Sequence, residues 1–354
     1  MPLFNSLFTS STHSYLGIDI SAPGIKMVEL ARNGNQVALL TYGFSEQKID
    51  SPVKDMSMLD VPRTAALIHH IAEKAHVASN LCLASLPTSS VFSSIININQ
   101  TGNKKDLEAA INWEAKKVIP LALQDIVLDW QKIEGGQEGN NMILLTGAPK
   151  ALIQNYISIF KAAQRNLLSL ETEIFALIRS LLGNDRSPVM IVQMGSTTTN
   201  IFVVDKCTPV INRSIGIGGN NITKSIAEHL NLSLEQAEQF KYDLMHSETV
   251  NGKTEVLPAM IIEALGPIIN EIKYIFEVFG NKESRRMEKI ILTGGGALLP
   301  GLTNYLSDQF NVNTIVGDPW FRISYPFELK PILEKIGPRL AVAIGLAMRE
   351  FDKK

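Results

Sequence analysis

Tyr15-Leu-Gly-Ile-Asp-Ile20, Ile25-Lys-Met-Val-Glu-Leu-Ala31 and Val37-Ala-Leu-Leu-Thr-Tyr-Gly43 set the architecture, because the chain repeats their pattern in its middle. Apolar runs separated by short polar turns, here around Ser21 and at Asn33-Gly34-Asn35, read as three antiparallel strands. The second copy runs Val189-Met-Ile-Val-Gln-Met194, Gly195-Ser-Thr-Thr198, Thr199-Asn-Ile-Phe-Val-Val-Asp205 and Pro209-Val-Ile-Asn-Arg213, with a turn at Lys206-Cys207. An internal repeat of one supersecondary unit outranks every other fold signal. Laid over one another, Asp19 meets Gln193, Ser21 meets Gly195 and Lys26 meets Asn200. Two such hairpins facing each other offer backbone N–H groups to an anion held between them.

A third glycine stretch follows, Ile290-Ile-Leu-Thr-Gly294-Gly-Gly-Ala-Leu-Leu-Pro-Gly301-Leu302. An apolar strand enters three glycines, and Thr303 to Asp308 reads as a helix. Glycine lets the backbone approach a flat ring or a phosphate with no Cβ in the way. Alone this signal is weak; in series with two phosphate-loop candidates it points to a nucleotide.

Composition narrows the class. The chain has 354 residues, 45% hydrophobic and 19% charged, with a formal net charge of -2. That length predicts two or three compact units with a large core. The charge excludes a bulk electrostatic attraction to nucleic acid. Cys82 and Cys207 lack CxxC spacing, which argues against a zinc site or a disulfide framework and for a reducing cytoplasm. The apolar stretches at Pro258 to Phe279 and Leu340 to Met348 are interrupted by charge or are too short for a span of about 20 residues. No signal peptide is evident, and Leu3, Phe4, Leu7 and Phe8 sit at helical spacing suited to a short membrane or partner contact.

The three loops, in this order, resemble the five-part pattern of the actin-like ATPases: phosphate 1 at Gly17 to Lys26, a connecting segment, phosphate 2 at Val192 to Ile201, a second connecting segment, and the adenosine motif at Leu292 to Leu302. Within that superfamily the chain is most similar to the PilM family of type IV pilus assembly, and next to the FtsA family. The similarity is carried by Ala110-Ile-Asn-Trp-Glu-Ala-Lys-Lys-Val-Ile-Pro120, Asp129-Trp-Gln131, Glu173-Ile-Phe-Ala-Leu-Ile-Arg179, Ile217-Gly-Gly-Asn-Asn-Ile-Thr223 and Glu235-Gln-Ala-Glu-Gln-Phe-Lys241.

The resemblance implies an α/β, actin-like (ribonuclease H-like, duplicated) two-lobed ATPase fold with an inserted small subdomain. Its expected parts are a first lobe at 14–84 and 148–187, the insert at 85–147, a second lobe at 188–220 and 288–350, and a helical subdomain at 221–287. The expected cofactors are ATP or ADP with Mg2+. The implied nucleotide contacts are Asp19, Ser21, Lys26, Gly195, Ser196, Thr197, Thr198, Gly218, Gly219, Asn220, Glu238, Lys241, Gly294, Gly295, Gly296 and Leu298, with Asp19 reaching the metal through water. Glu238 and Lys241 lie three apart, hence on one helix face. The insert, with strands at Ser90 to Ile98 and Ile126 to Lys132 and a helix at Lys104 to Val118, is expected to help form a groove for the cytoplasmic tail of the inner-membrane protein PilN. Trp113 and Trp130 are its candidate aromatic anchors. Other pilus-assembly proteins, including the motor, and self-association complete the expected partners. The implied location is cytoplasmic, at the inner-membrane face.

Departures from the pattern bear on catalysis. Gln193 stands where active relatives carry an acid, and an amide cannot act as a carboxylate base. Ser21 and Ala22 replace glycine and serine, and Pro23 removes a backbone donor. Each lost charge-assisted contact costs roughly 1.5 to 3 kcal/mol, so hydrolysis is expected to be slow or absent and catalytic residues stay unassigned. Two rival functions remain: an FtsA-like filament protein of cell division, and a small-molecule kinase of the same fold. The kinase needs a second cleft carboxylate that the sequence does not single out. His69, His70 and His76 lack ligand spacing, and the basic run at Lys282 to Lys289 reads as a solvated face.

Overall fold

The computed structural model describes residues 13–21, 24–34, 36–45, 59–99, 104–134, 141–246, 257–283 and 286–352. The amino-terminal apolar segment with Leu3, Phe4, Leu7 and Phe8, the loop residues Ala22 and Pro23, and part of the basic run lie outside them.

β1 (Ser14–Ser21), β2 (Gly24–Asn33) and β3 (Gln36–Phe44) form the first antiparallel meander. The period of two sorts its side chains: Leu16, Ile18 and Ile20 of β1 pack with the buried faces of α1 (Val61–Lys74) and of the later helix α3. β4 (Leu81–Leu86) then runs parallel to β1.

The insert follows. β5 (Phe92–Ile98), α2 (Lys104–Val118), β6 (Ile126–Ile133) and β7 (Asn141–Pro149) make a three-stranded sheet in the order β5-β7-β6. Ile111, Ala115 and Ile119 bring α2 and its C-terminal end onto Ile96, Ile143 and Leu145. The sequence suggested two strands here, and β7 is a third, central one, its Pro149 closing the strand where no further ladder donor is needed.

α3 (Lys150–Ala162) and β8 (Asn166–Thr172) return the chain to the first sheet, and α4 (Glu173–Leu177) with a π-helical turn leads out of it. β9 (Val189–Met194), β10 (Thr199–Asp205) and β11 (Thr208–Ile215) repeat the meander, continued by α5 (Gly219–Leu230), α6 (Leu234–His246) and α7 (Ala259–Glu283). β10 is buried along its whole length because both faces are covered. Ile201 and Val203 face α5 and α7, while Phe202 and Val204 face α4 and the final helix. In α7, Ile261, Leu265, Ile268, Ile272, Ile275 and Phe279 form the buried stripe of a 3.6-residue period. Among the described residues no helix is long and apolar enough to cross a membrane.

β12 (Lys289–Thr293), α8 (Leu302–Phe310) and β13 (Asn313–Val316) complete the second sheet, ordered β11-β10-β9-β12-β13. β14 (Ile323–Ser324) and α9 (Lys330–Met348) were expected with the second lobe. β14 pairs with β3 at the edge of the first sheet, β14-β3-β2-β1-β4-β8. α9 lies between the two sheets, with Leu340, Ala343, Ile344 and Ala347 packed among residues of β2 and Ala341, Val342 and Leu346 packed with α4, β9 and β10. It is apolar nearly all round, as a helix buried on several sides must be.

Candidate nucleotide cleft

The duplication is exact in register. Asp19 is the ladder partner of Lys26, and Gln193 is the ladder partner of Asn200. In the first hairpin the pair is ionic: Lys26 Nζ lies 3.1 Å from Asp19 Oδ2 and donates to Ser21 Oγ at 2.8 Å, and Ser21 Oγ closes the turn onto the Gly24 carbonyl at 3.1 Å. In the second hairpin the pair is neutral, Asn200 Nδ2 donating to Gln193 Oε1 at 3.1 Å. Asp19 is only 3% exposed and also accepts from Ser85 Oγ at 3.2 Å.

The second phosphate loop is held by its own backbone. Gly195 N–H donates to the Thr198 carbonyl at 2.9 Å, leaving Ser196, Thr197 and Thr198 half-exposed. Gly219 N–H donates to Gly195 O at 2.9 Å, and Asn220 N–H to Ser196 O at 2.8 Å. The start of α5 therefore seats directly on the loop, and the Gly219 and Asn220 amides support it rather than point at a ligand. Gly218 allows this approach: a Cβ there would stand 2.7 Å from Gly195 O and from Ser196 backbone atoms.

Glu238 and Lys241 do share one face of α6, with their charged ends 2.6 Å apart. Lys241 is buried, and its ammonium also donates to Thr223 Oγ1 at 2.7 Å and to Gly219 O at 3.1 Å. Thr223 Oγ1 in turn donates to Glu238. The pair thus ties α6 to the first turn of α5, with the Glu238 carboxylate the more exposed end.

The adenosine motif enters from β12. Gly294 has φ +81°, a left-handed conformation that disfavours a side chain, and Gly295 to Leu298 form a 3-10 turn on which Gly296 is buried and Leu298 half-buried. Gly294 N–H and Thr293 Oγ1 both donate to the Pro338 carbonyl of α9, at 2.8 and 2.9 Å. A Cβ on Gly294 would stand 2.4 Å from Met194 O at the end of β9. Gly294→Ala is expected to cost about 3 kcal/mol, strain and overpacking together, read as a lowered urea midpoint with an unchanged slope.

One carboxylate escaped the sequence reading in this role. Glu173, quoted there only within a family motif, is 7% exposed at the first turn of α4. Its Oε2 accepts from Thr88 N at 3.2 Å, from Thr88 Oγ1, and from Asn200 Nδ2 at 3.0 Å. Burial first, then the charge of Asp19, raises its pKa to about 7, against the pull of the Thr88 hydrogen bonds and Lys26. A second buried acid therefore lies within the field of Asp19. An acid in the first helical turn after a strand was the available signal, but nothing in the sequence tied it to Asp19.

The residue types suit a polyphosphate with a divalent cation: glycine backbones that a Cβ would obstruct, a lysine, and two buried acids whose mutual repulsion a cation relieves. Of the two candidate partner aromatics, Trp130 packs onto the core of the insert, whereas Trp113 on α2 is 63% exposed with Lys117 Nζ 5.7 Å from its ring centroid.

Comparison with known proteins agrees with this geometry. The cell division protein FtsA of Borreliella burgdorferi is 24% identical over 97% of this chain and 92% of its own length. That of Enterococcus hirae is 23% identical over 86% and 78%. Among solved structures, the PilM-PilN type IV pilus biogenesis complex matches with a TM-score of 0.80 at 22% identity, over 96% of this chain and 99% of the other. MreB5 of Spiroplasma citri bound to AMPPNP matches with 0.52 at 13% identity, over 97% of each chain. At these identities the likeness establishes the fold, which is actin-like. Residues 17–351 match the family described as type IV pilus assembly protein PilM, and the chain belongs to that family.

Proposed function

We propose that this protein is a nucleotide-binding platform of type IV pilus assembly that holds Mg-ATP or Mg-ADP between its lobes and docks the cytoplasmic tail of a PilN-like inner-membrane protein. The observation that carries the nucleotide half is the duplicated pair of hairpins, with Lys26 on one and the loop 195–198 on the other, and Glu173 bonded to Asn200 of the second within the field of Asp19 and Lys26 of the first. Asp19, Ser21 and Lys26 serve the phosphates and the metal from the first lobe. Gly195 to Thr198 serve them from the second, held in shape by Gly218, Gly219 and Asn220. Gly294 to Gly296 and Leu298, with Glu238 and Lys241, line the nucleoside side. The MreB5 match was solved with AMPPNP, which supports the same use of the fold here.

Hydrolysis is slow in this reading. A general base must reach the proton it abstracts, but Gln193 is an amide engaged with Asn200, and one oxygen of Glu173 is already shared by three donors. The tail-docking half is supported by the PilM-PilN match and by Trp113, a large exposed aromatic of the kind that anchors peptides. The protein works at the cytoplasmic face of the inner membrane, held there by its partner.

Titrating the chain with a fluorescent ATP analogue and magnesium, then measuring phosphate release in the same sample, tests the first half. Micromolar binding with little release is expected. Rapid turnover would favour an enzymatic role, and no saturable binding would remove the nucleotide from the account. A PilN-type tail peptide should bind the wild type and bind Trp113→Ala at least about tenfold more weakly.

A further inference from the structure

The insert meets the cleft floor through one chain of buried hydrogen bonds. β4 ends at Leu86, and the turn Thr88–Ser90 that follows leads into β5. Thr88, 6% exposed, donates both its amide and its hydroxyl to Glu173 Oε2. The same oxygen accepts from Asn200 on β10, whose side chain also engages Gln193 on β9 and accepts from Ser214 Oγ at 2.7 Å on β11. One carboxylate thus joins the first turn of the insert to the phosphate hairpin of the second lobe. The turn and β5 also lie against β11.

The exit from the insert carries an independent sign. β7 passes through Pro149 into α3, where the fully buried Tyr156 hydroxyl has no hydrogen-bond partner among the described residues. Burial, followed by the charges of Asp19 and Glu173, holds its proton in place. Thr88 at the entry to the insert thus touches one of the two acids, and Tyr156, on the helix that follows its exit, lies in the field of both.

We infer that Thr88, Glu173 and Asn200 form a relay through which occupancy of the cleft sets the seating of the insert, and through which a ligand on the insert alters nucleotide affinity. This rests on the nucleotide-binding reading. A divalent cation beside Asp19 competes with Thr88 and Asn200 for Glu173, so one set of hydrogen bonds lengthens when the other partner arrives. Linkage makes the effect reciprocal: whatever factor the nucleotide imposes on binding at the insert, a ligand there imposes on the nucleotide. Thr88 is a positioning residue in this scheme.

The experiment is hydrogen exchange on the full chain, with and without magnesium and the ATP analogue, at concentrations that saturate each variant. Amides of β5 and β7 in the wild type should change exchange rate by about fivefold or more on saturation. Thr88→Val should bind nucleotide yet lose most of that response, and Thr88→Ser, which keeps the hydroxyl, should retain it. A full response in saturated Thr88→Val would overturn the relay. So would saturable binding to the wild type with an unchanged insert, a result that needs no variant to fold. No saturable binding would overturn the nucleotide reading itself and the relay with it.

Discussion

Lys26→Ala is expected to lower stability by about 2 to 3 kcal/mol and to weaken Mg-ATP binding by at least about tenfold. Asp19 is 3% exposed and, among the described residues, keeps the Ser85 hydroxyl as its side-chain donor once the ammonium is gone. Removing one partner of a buried ion pair strands the other charge, and that cost exceeds the net worth of the intact pair. The lysine side chain is itself 20% exposed, which holds the figure below the full range for a sealed pair. Adding Asp19→Asn should restore much of the stability, because the stranded charge disappears, but not the affinity, because the cation facing the phosphates is still missing. Urea unfolding and nucleotide titration of the two single variants and the double variant form the cycle that checks this. Equal recovery of stability and affinity would mean that Lys26 serves only its aspartate.

Glu173→Gln is expected to stabilise the protein above neutrality and to do little in mild acid. The folded chain holds the Glu173 proton more tightly than the ordinary carboxylate value of 4.5, with a pKa raised to about 7 by burial and by Asp19. A group raised in this way contributes stability that is complete below its unfolded pKa and is lost as pH rises through its folded pKa. Its window therefore runs from about 4.5 to about 7. Glutamine mimics the protonated carboxyl at every pH. The variant should gain on the order of 2 kcal/mol over the wild type at pH 8 and only a fraction of that at pH 5. Urea midpoints at the two pH values read this directly. A variant that loses stability at pH 8 would show that Glu173 is held as a favourable anion. The two predictions are linked, since Lys26→Ala removes a positive charge that now lowers the Glu173 pKa, and should move its titration further up.

Much of the fold was legible in the amino-acid sequence because it is encoded by contacts between near neighbours. The alternation in 14–44 and again in 189–215 determined both meanders. Overlaying the two copies put Asp19 on Gln193 and Lys26 on Asn200, and in each hairpin the ladder makes the two aligned residues partners. The entry of β12 into three glycines determined the adenosine motif. Tertiary structure decided what depends on distant segments. Thr88 and Glu173 are 85 positions apart, and Glu173 and Asn200 are 27 apart, brought together by parallel crossovers whose seating no periodicity specifies. For the same reason the amides of Gly219 and Asn220 turned out to support a loop, β14 joined the first sheet, and α9 came to lie between the two sheets. Trp113 was left on the surface while Trp130 packed against the core of the insert. A strand or hairpin needs only its own residues to be recognised, but a buried carboxylate acquires its partners and its pKa from whatever the rest of the chain packs around it.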